Sequence, residues 1–78
     1  MRTRIVVTVM PRTETLDPQG QAVAGALQQL GFDELGDVRI GKRIVLEIDG
    51  DDPVGQAHAM CDRLLVNRLI EDYEVDAG

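Results

Sequence analysis

Polar and apolar residues alternate along one parity from Asp37 to Ile48. Val38, Ile40, Ile44, Leu46 and Ile48 fall on even positions, and Asp37, Arg39, Gly41, Arg43 and Glu47 on odd ones. Successive side chains of a strand point to opposite faces, so the pattern predicts a strand with one apolar and one polar face. Gly41-Lys42 resembles a two-residue hairpin turn. A hairpin there would pair Ile40 with Arg43 and Val38 with Val45, and would turn Ile44, Leu46 and Ile48 to the other face. One continuous strand is therefore expected over 37–48, with Lys42 as the one misfit. At about 3.3 Å per residue it would run on the order of 40 Å, against a usual strand of roughly 5–6 residues. A chain of 78 residues is too small to cover it alone. Part of the strand is expected to lie against another chain.

The flanking elements follow from the same reading. Ile5, Val7 and Val9 give a first strand over residues 4–10, and Pro11 to Leu16 a polar connection. Asp17-Pro18 places a capping carboxylate before a proline at the first helical position. Val23, Ala26, Leu27 and Leu30 then form the stripe of a first helix, which Gly31 ends. Asp52-Pro53 repeats the start signal. A second helix is expected to about Val66, with Val54, Ala57, Cys61, Leu64 and Leu65 on one side and Asn67 capping its end. Residues 69–75 read as a third strand.

The expected fold is α+β, one domain over residues 1–78, in the order β-α-β-α-β with a long central strand. Each half is expected to be a βαβ unit whose right-handed crossover puts both helices on one side of the sheet. A ferredoxin-like plait needs two such units interleaved, so each subdomain is expected to be completed by dimerisation. The opposite sheet face would carry Val6, Met10, Val45 and Tyr73, either as scattered surface apolars or as a subunit contact.

Composition narrows the function. A chain this short buries only about 60–65% of its unfolded surface, and oligomerisation is a common remedy. The single cysteine, Cys61, cannot form an intrachain disulfide, which fits a reducing cytoplasm. Eight basic residues against fourteen acidic ones give a net charge of −6. That charge repels phosphate backbones, and two aromatic residues, Phe32 and Tyr73, make no stacking platform. Nucleic-acid binding is not expected. The apolar run Ile5–Met10 follows two arginines but is too short for a signal peptide and ends at Pro11. No stretch is long enough to span a membrane.

The candidate chemistry is sparse. His58 and Cys61 stand one helical turn apart, the spacing of a thiolate–imidazole pair. No third orienting group or oxyanion hole accompanies them, and Cys61 also falls on the apolar stripe. His58, Cys61 and Asp62 do not reach the four ligands of a structural zinc site. Asp49-Gly50-Asp51-Asp52 lacks the spacing and closing glutamate of a calcium loop, and reads as a turn and a cap. Gln19-Gly20 sits in a first helical turn, where free N–H groups attract anions and a glycine admits a close neighbour. Contact with a partner subunit is favoured over phosphate. Arg39, Gly41 and Lys42 put two cations around a glycine in mid-strand, either a docking point or a solvated face. Glu71-Asp72 is either edge protection or a contact. No catalytic group, cofactor site or metal site is assigned.

Three segments carry a resemblance. Leu16-Asp17-Pro18-Gln19-Gly20, Asp37-Val38-Arg39-Ile40-Gly41-Lys42 and Asn67 through Ile70-Glu71-Asp72-Tyr73 together resemble the PurS family, the small subunits of phosphoribosylformylglycinamidine synthase. Val66 and Arg68 depart from the family's usual A-N-x-V-I-E-D-[YF] ending. The resemblance implies an accessory role in the fourth step of purine synthesis. In that step glutamine, ATP and formylglycinamide ribonucleotide yield formylglycinamidine ribonucleotide. It implies a large synthetase subunit that holds ATP and magnesium, and a glutamine amidotransferase subunit that releases ammonia. The small subunit would help join the two and protect ammonia transfer, with no cofactor of its own. It would form dimers that can pair into tetramers. The contact residues implied are Asp17, Pro18, Gln19, Gly20, Arg39, Gly41, Lys42, Asn67, Glu71, Asp72 and Tyr73. Two other readings stand beside this one. A free-standing ligand-sensing plait would respond to one small metabolite. A small plait enzyme such as an acylphosphatase would need a phosphate-cradling loop, and Pro11–Leu16 has no glycine to form one.

Overall fold

The computed structural model describes residues 2–77. Three strands form one sheet in the order β2-β1-β3, with β1 at Arg2–Pro11, β2 at Lys42–Asp49 and β3 at Glu71–Asp76. Helix α1 spans Pro18–Gln29 and helix α2 spans Pro53–Met60, the latter running into a π-helical turn at Cys61–Leu65.

Both helices start as their sequences dictate. Asp17 accepts a hydrogen bond from the Gly20 N–H at 3.0 Å, and Asp52 accepts one from the Gly55 N–H at 3.0 Å. Each has proline behind it, where the missing N–H costs nothing. Helix α1 closes with a Schellman motif. Phe32 N–H donates to Leu27 O and Gly31 N–H to Gln28 O, which requires the left-handed φ of +104° that Gly31 supplies.

The alternating strands meet on one face. In register, Ile5 faces Leu46, Val7 faces Ile44 and Val75, and Val9 faces Lys42 and Tyr73. Helix α2 covers this face. Ile5, Val7, Val9, Ile48, Ala57, Cys61 and Val66 form the core, with Ile44, Leu46, Leu65, Tyr73 and Val75 half-buried around it. The π turn explains its lower half. An i→i+5 repeat sets Val66 behind Cys61, with Val66 N–H donating to Cys61 O at 3.1 Å. Leu64 is then turned outward and Asn67 is left beyond the helix, so neither takes its expected role of core residue and helix cap.

The topology departs from two tandem βαβ crossovers. β1 pairs antiparallel with both β2 and β3. Only the second half, β2-α2-β3, links parallel strands, and β1 lies between them. Helix α1 packs on no strand and not on α2. Val23 and Leu30 of its stripe stay exposed as a result. Tyr73 also lies on the helix-covered face, opposite Val9, and not on the outer face. There the outer face carries Val6, Met10 and Val45 without it.

Lys42 is the first residue of β2, so the ladder covers only part of the expected 37–48 strand. The chain does not double back at Gly41-Lys42. The Ile40 N–H instead donates to Asp17 at 2.9 Å, holding residues 38–40 against the start of α1. These segments form an arm beyond the sheet. The molecule measures 50 × 24 × 14 Å, with a radius of gyration of 15.9 Å. A compact chain of this length has about 11–12 Å.

Candidate functional site: one end of the sheet

The three segments that carry the resemblance converge at the end of the sheet where the arm begins. The loop after β1 gathers them. Arg12 N–H donates to Ile70 O at 2.9 Å, and Arg12 Nη2 donates to Arg68 O at 2.8 Å and lies 3.6 Å from Asp72. Arg12 O accepts a hydrogen bond from Arg39 Nη2, which also donates to Thr15 O at 3.2 Å. One loop therefore holds the arm on one side and the β3 approach on the other. Among the described residues, Arg12 Nε is the single buried side-chain nitrogen or oxygen without a partner.

Each singled-out residue has a defined place. Asp17 is buried, and the N–H groups of Gly20 and then Ile40 hold its carboxyl below the usual carboxylate range. Gly20 is buried because the Val38 carbonyl lies where a Cβ would stand. The close backbone that this glycine admits is the chain's own. Gly41 is constrained in the same way by Val9 O and Met10. Pro18 and Gln19 are exposed on the first turn, and Lys42 is exposed at the start of β2. Asn67 builds a turn. Its side chain accepts from Leu69 N–H at 3.1 Å, its carbonyl accepts from Ile70 and Glu71 N–H, and its own N–H donates to Glu71 Oε1 at 2.8 Å. Tyr73 shares a 2.8 Å hydrogen bond with His58 Nδ1 and lies under the Arg68 guanidinium at 5.3 Å. Arg68 is anchored in turn by Asp62 at 2.8 Å.

Sequence reasoning missed Arg12, the hub of this arrangement. Its signal was present: a lone cation immediately after a strand that ends in proline. The His58–Cys61 pair is not poised for nucleophilic chemistry. Burial pushes the Cys61 thiol up, away from the thiolate, and His58 is engaged by Tyr73. The Asp49–Asp52 turn resolves into an ion pair from Asp49 to Arg2 at 3.6 Å and the α2 cap. Among the described residues no cluster of three or more potential ligands is placed to hold a metal, and no helix is long and apolar enough to cross a membrane.

An open, mainly apolar groove of about 430 Å³ lies beside α2, lined by Leu46, Ala59, Met60, Leu64 and Leu65 together with Gln56 and Arg63. Leu64 is 84% exposed there. Among the described residues, β2 pairs on one side only.

A three-stranded antiparallel sheet with one helix on a face, and a second helix held off it, defines a small α+β domain. The comparisons with known proteins agree. The PurS profile, described as phosphoribosylformylglycinamidine (FGAM) synthase, matches residues 4–78. The chain belongs to the PurS family. It is 50% identical over 72 residues to the phosphoribosylformylglycinamidine synthase subunit PurS of Mycobacterium leprae, covering 92% of this chain and 91% of that protein. It is similar to the solved PurS of Bacillus subtilis, with a TM-score of 0.88 at 40% identity over 97% of this chain and 96% of that one. It is also similar to a chain in the PurLQS structure from Thermotoga maritima, with a TM-score of 0.87 at 26% identity, covering 97% and 96%.

Proposed function

We propose that the chain acts as the non-catalytic small subunit of phosphoribosylformylglycinamidine synthase in the cytoplasm, joining the glutaminase and synthetase subunits so that ammonia passes between them. The observation that carries this reading is the convergence of three distant segments on the Arg12 loop, where they form one braced surface. Asp17, Gly20 and Gly41 shape it from within, as do the Asn67 and Glu71 bonds. Pro18, Gln19, Lys42 and Asp72 present it, and Arg39 and Tyr73 brace it from beneath. ATP and magnesium belong to the synthetase subunit, and this chain needs neither.

Self-association is part of the proposal. A ferredoxin-like plait has four strands and two helices on one face. This chain offers three strands and one packed helix, together with an unpacked α1 and an unladdered segment at 37–41. A second copy supplies what is missing. Its 37–41 segment adds to the free edge of β2, and its α1 fills the groove beside α2. Helix α1 is about 18 Å long at 1.5 Å per residue, and its exposed Val23 and Leu30 match an apolar groove.

Reconstitution tests the assembly role. Glutamine-dependent formation of formylglycinamidine ribonucleotide is expected with this chain and lost without it. Equal activity from the other two subunits alone would end the reading. Light scattering tests the self-association, and a monodisperse, stably folded monomer would end that part.

A further inference from the structure

The backbone polar groups of residues 37–49 sort onto two edges. In an antiparallel ladder, facing residues alternate between pairs that exchange hydrogen bonds and pairs that do not. Arg12 N–H donates to Ile70 O at 2.9 Å, and these two residues continue the β1–β3 register in which Pro11 faces Glu71. Even residues of β1 therefore bond to β3, and odd ones to β2. Thr3, Ile5, Val7 and Val9 face Ile48, Leu46, Ile44 and Lys42, so β2 commits the polar groups of its even residues to β1. The arm continues this division. Ile40 N–H donates to Asp17, and the Val38 carbonyl lies where a Gly20 Cβ would stand. The start of α1 thus takes over the edge that β1 leaves at Pro11. Odd residues from 37 to 49 turn their N–H and C=O to the opposite edge, which no strand covers among the described residues. That stretch contains no proline, so no donor is missing from it.

We propose that this edge pairs with the same edge of a second copy, antiparallel about a two-fold axis at Arg43. The inference rests on the self-association proposed above and fixes its register. A two-fold contact is reciprocal, and bonding through this edge sets odd residues against odd ones. Only two such registers seat all of residues 37–41 on the second copy's β2, Lys42–Asp49. With the axis at Lys42, Lys42 faces its own counterpart, Asp37 faces Glu47 of the second copy, and no opposite charges meet. With the axis at Arg43, Arg39 faces Glu47 of the second copy, and symmetry repeats the pair. The like pairs are then Arg43 with its counterpart and Asp37 with Asp49. Opposite charges across a ladder stabilise it and like charges weaken it, which selects Arg43. The charges needed are available. Arg39 donates to carbonyls and meets no carboxylate within the chain, while the exposed Arg2 serves both Glu47 and Asp49. This register also pairs the whole of 37–49. It sets Ile40 beside Leu46 of the second copy on the inner face, at the groove that receives α1.

Cysteine cross-linking reads the axis directly, because one position alone faces its own counterpart. The variants are Lys42→Cys, Arg43→Cys and Ile44→Cys in the full chain, with wild type as control, since Cys61 is buried. With the axis at Arg43, the two Cα atoms at that position stand about 5.5 Å apart, within disulfide reach. Those at 42 or at 44 stand about 7–8 Å apart, at or beyond its limit. Arg43→Cys is expected to form disulfide-linked dimers on a non-reducing gel at least about tenfold faster than the other two. Glu47→Lys sets a cation against Arg39 on both sides of the axis, and is expected to weaken association by at least about fivefold with circular dichroism unchanged. Faster cross-linking at Lys42→Cys or Ile44→Cys would overturn the register and leave self-association standing. Unchanged affinity in Glu47→Lys would overturn the charge pairing that selects it. Association without cross-linking at any of the three positions would overturn the edge pairing itself, and a wild-type chain that stays monomeric would overturn self-association as well.

Discussion

Leu64→Asp separates the fold of the protomer from its association. Leu64 is 84% exposed on the rim of the α2 groove, so the isolated protomer gains almost nothing from it. Fully burying a leucine side chain contributes about 1.5–3 kcal/mol. If a second copy covers the groove, each protomer loses about 1.3–2.5 kcal/mol when the side chain is removed. A two-fold interface counts the change twice, because the same patch appears on both sides. The expected loss is therefore about 2.5–5 kcal/mol of dimerisation free energy, or roughly two to three and a half orders of magnitude in Kd. The aspartate charge adds to that. Surface substitutions away from special features usually stay within about 0.5 kcal/mol, so the folded protomer should survive where it is stable alone. Sedimentation velocity over a dilution series reads the association, and circular dichroism reads the fold. Leu64→Ala serves as the milder control. An unchanged dissociation constant in both variants, with folding intact, would refute the placement of the second copy.

Three further outcomes are expected. Gly41→Ala drives a methyl into Val9 O and Met10, and overpacking of this kind costs about 1–3 kcal/mol. A thermal melt should fall by at least about 4 °C, since a domain of this size shifts about 4–8 °C per kcal/mol. Asp17 has a lowered folded pKa, so its contribution is present above its unfolded value, near 4, and is lost as pH falls through the folded one. Melts taken between about pH 4 and 2 should show a weaker acid dependence in Asp17→Asn than in wild type. Lys42→Glu reverses an exposed charge at the arm root; pull-down of the partner subunits should weaken while the far-ultraviolet spectrum is unchanged.

What could be read in advance was local. The caps were legible because an Asp-Pro pair satisfies a helix start with its own side chain, whatever surrounds it. The faces of β1 and β2 were legible because alternation reports burial directly, and Ile5, Val7, Val9 and Ile48 are the buried core. The antiparallel order was not legible, since alternation is the same for either strand direction. The π turn was not legible either. It adds a residue to one helical turn, and the stripe through Leu64 fits an ordinary helix until Val66 takes the core position. Tyr73 was misplaced because the phase of a six-residue edge strand hinges on which residue pairs with Val9. At the candidate site the motif segments were visible one by one. What joins them, the backbone and side chain of Arg12, depends on contacts as far apart as 56 residues.

The apolar patterns left over share one cause. Hydrophobic spacing records that a surface is buried, not which chain buries it. The stripe of α1 predicts packing that the protomer does not contain, and the even positions at 37–41 predict a strand pairing it does not contain, because β1 ends in Pro11 just past the Val9–Lys42 pair. Beyond that point no strand of this chain remains beside the segment, and proline has no N–H to extend the ladder. The arm is nevertheless not loose at its root. Asp17 ties it to α1 through Ile40, and Arg39 ties it to the loop through the Arg12 and Thr15 carbonyls. A segment that no strand of its own protomer flanks, yet fixed in direction by part-buried polar bonds, has already met much of the ordering cost of association. The same bonds align the sheet end with the arm. Under the proposed function, self-association and partner docking would draw on one set of latches, and disturbing Arg12 or Arg39 should reach both.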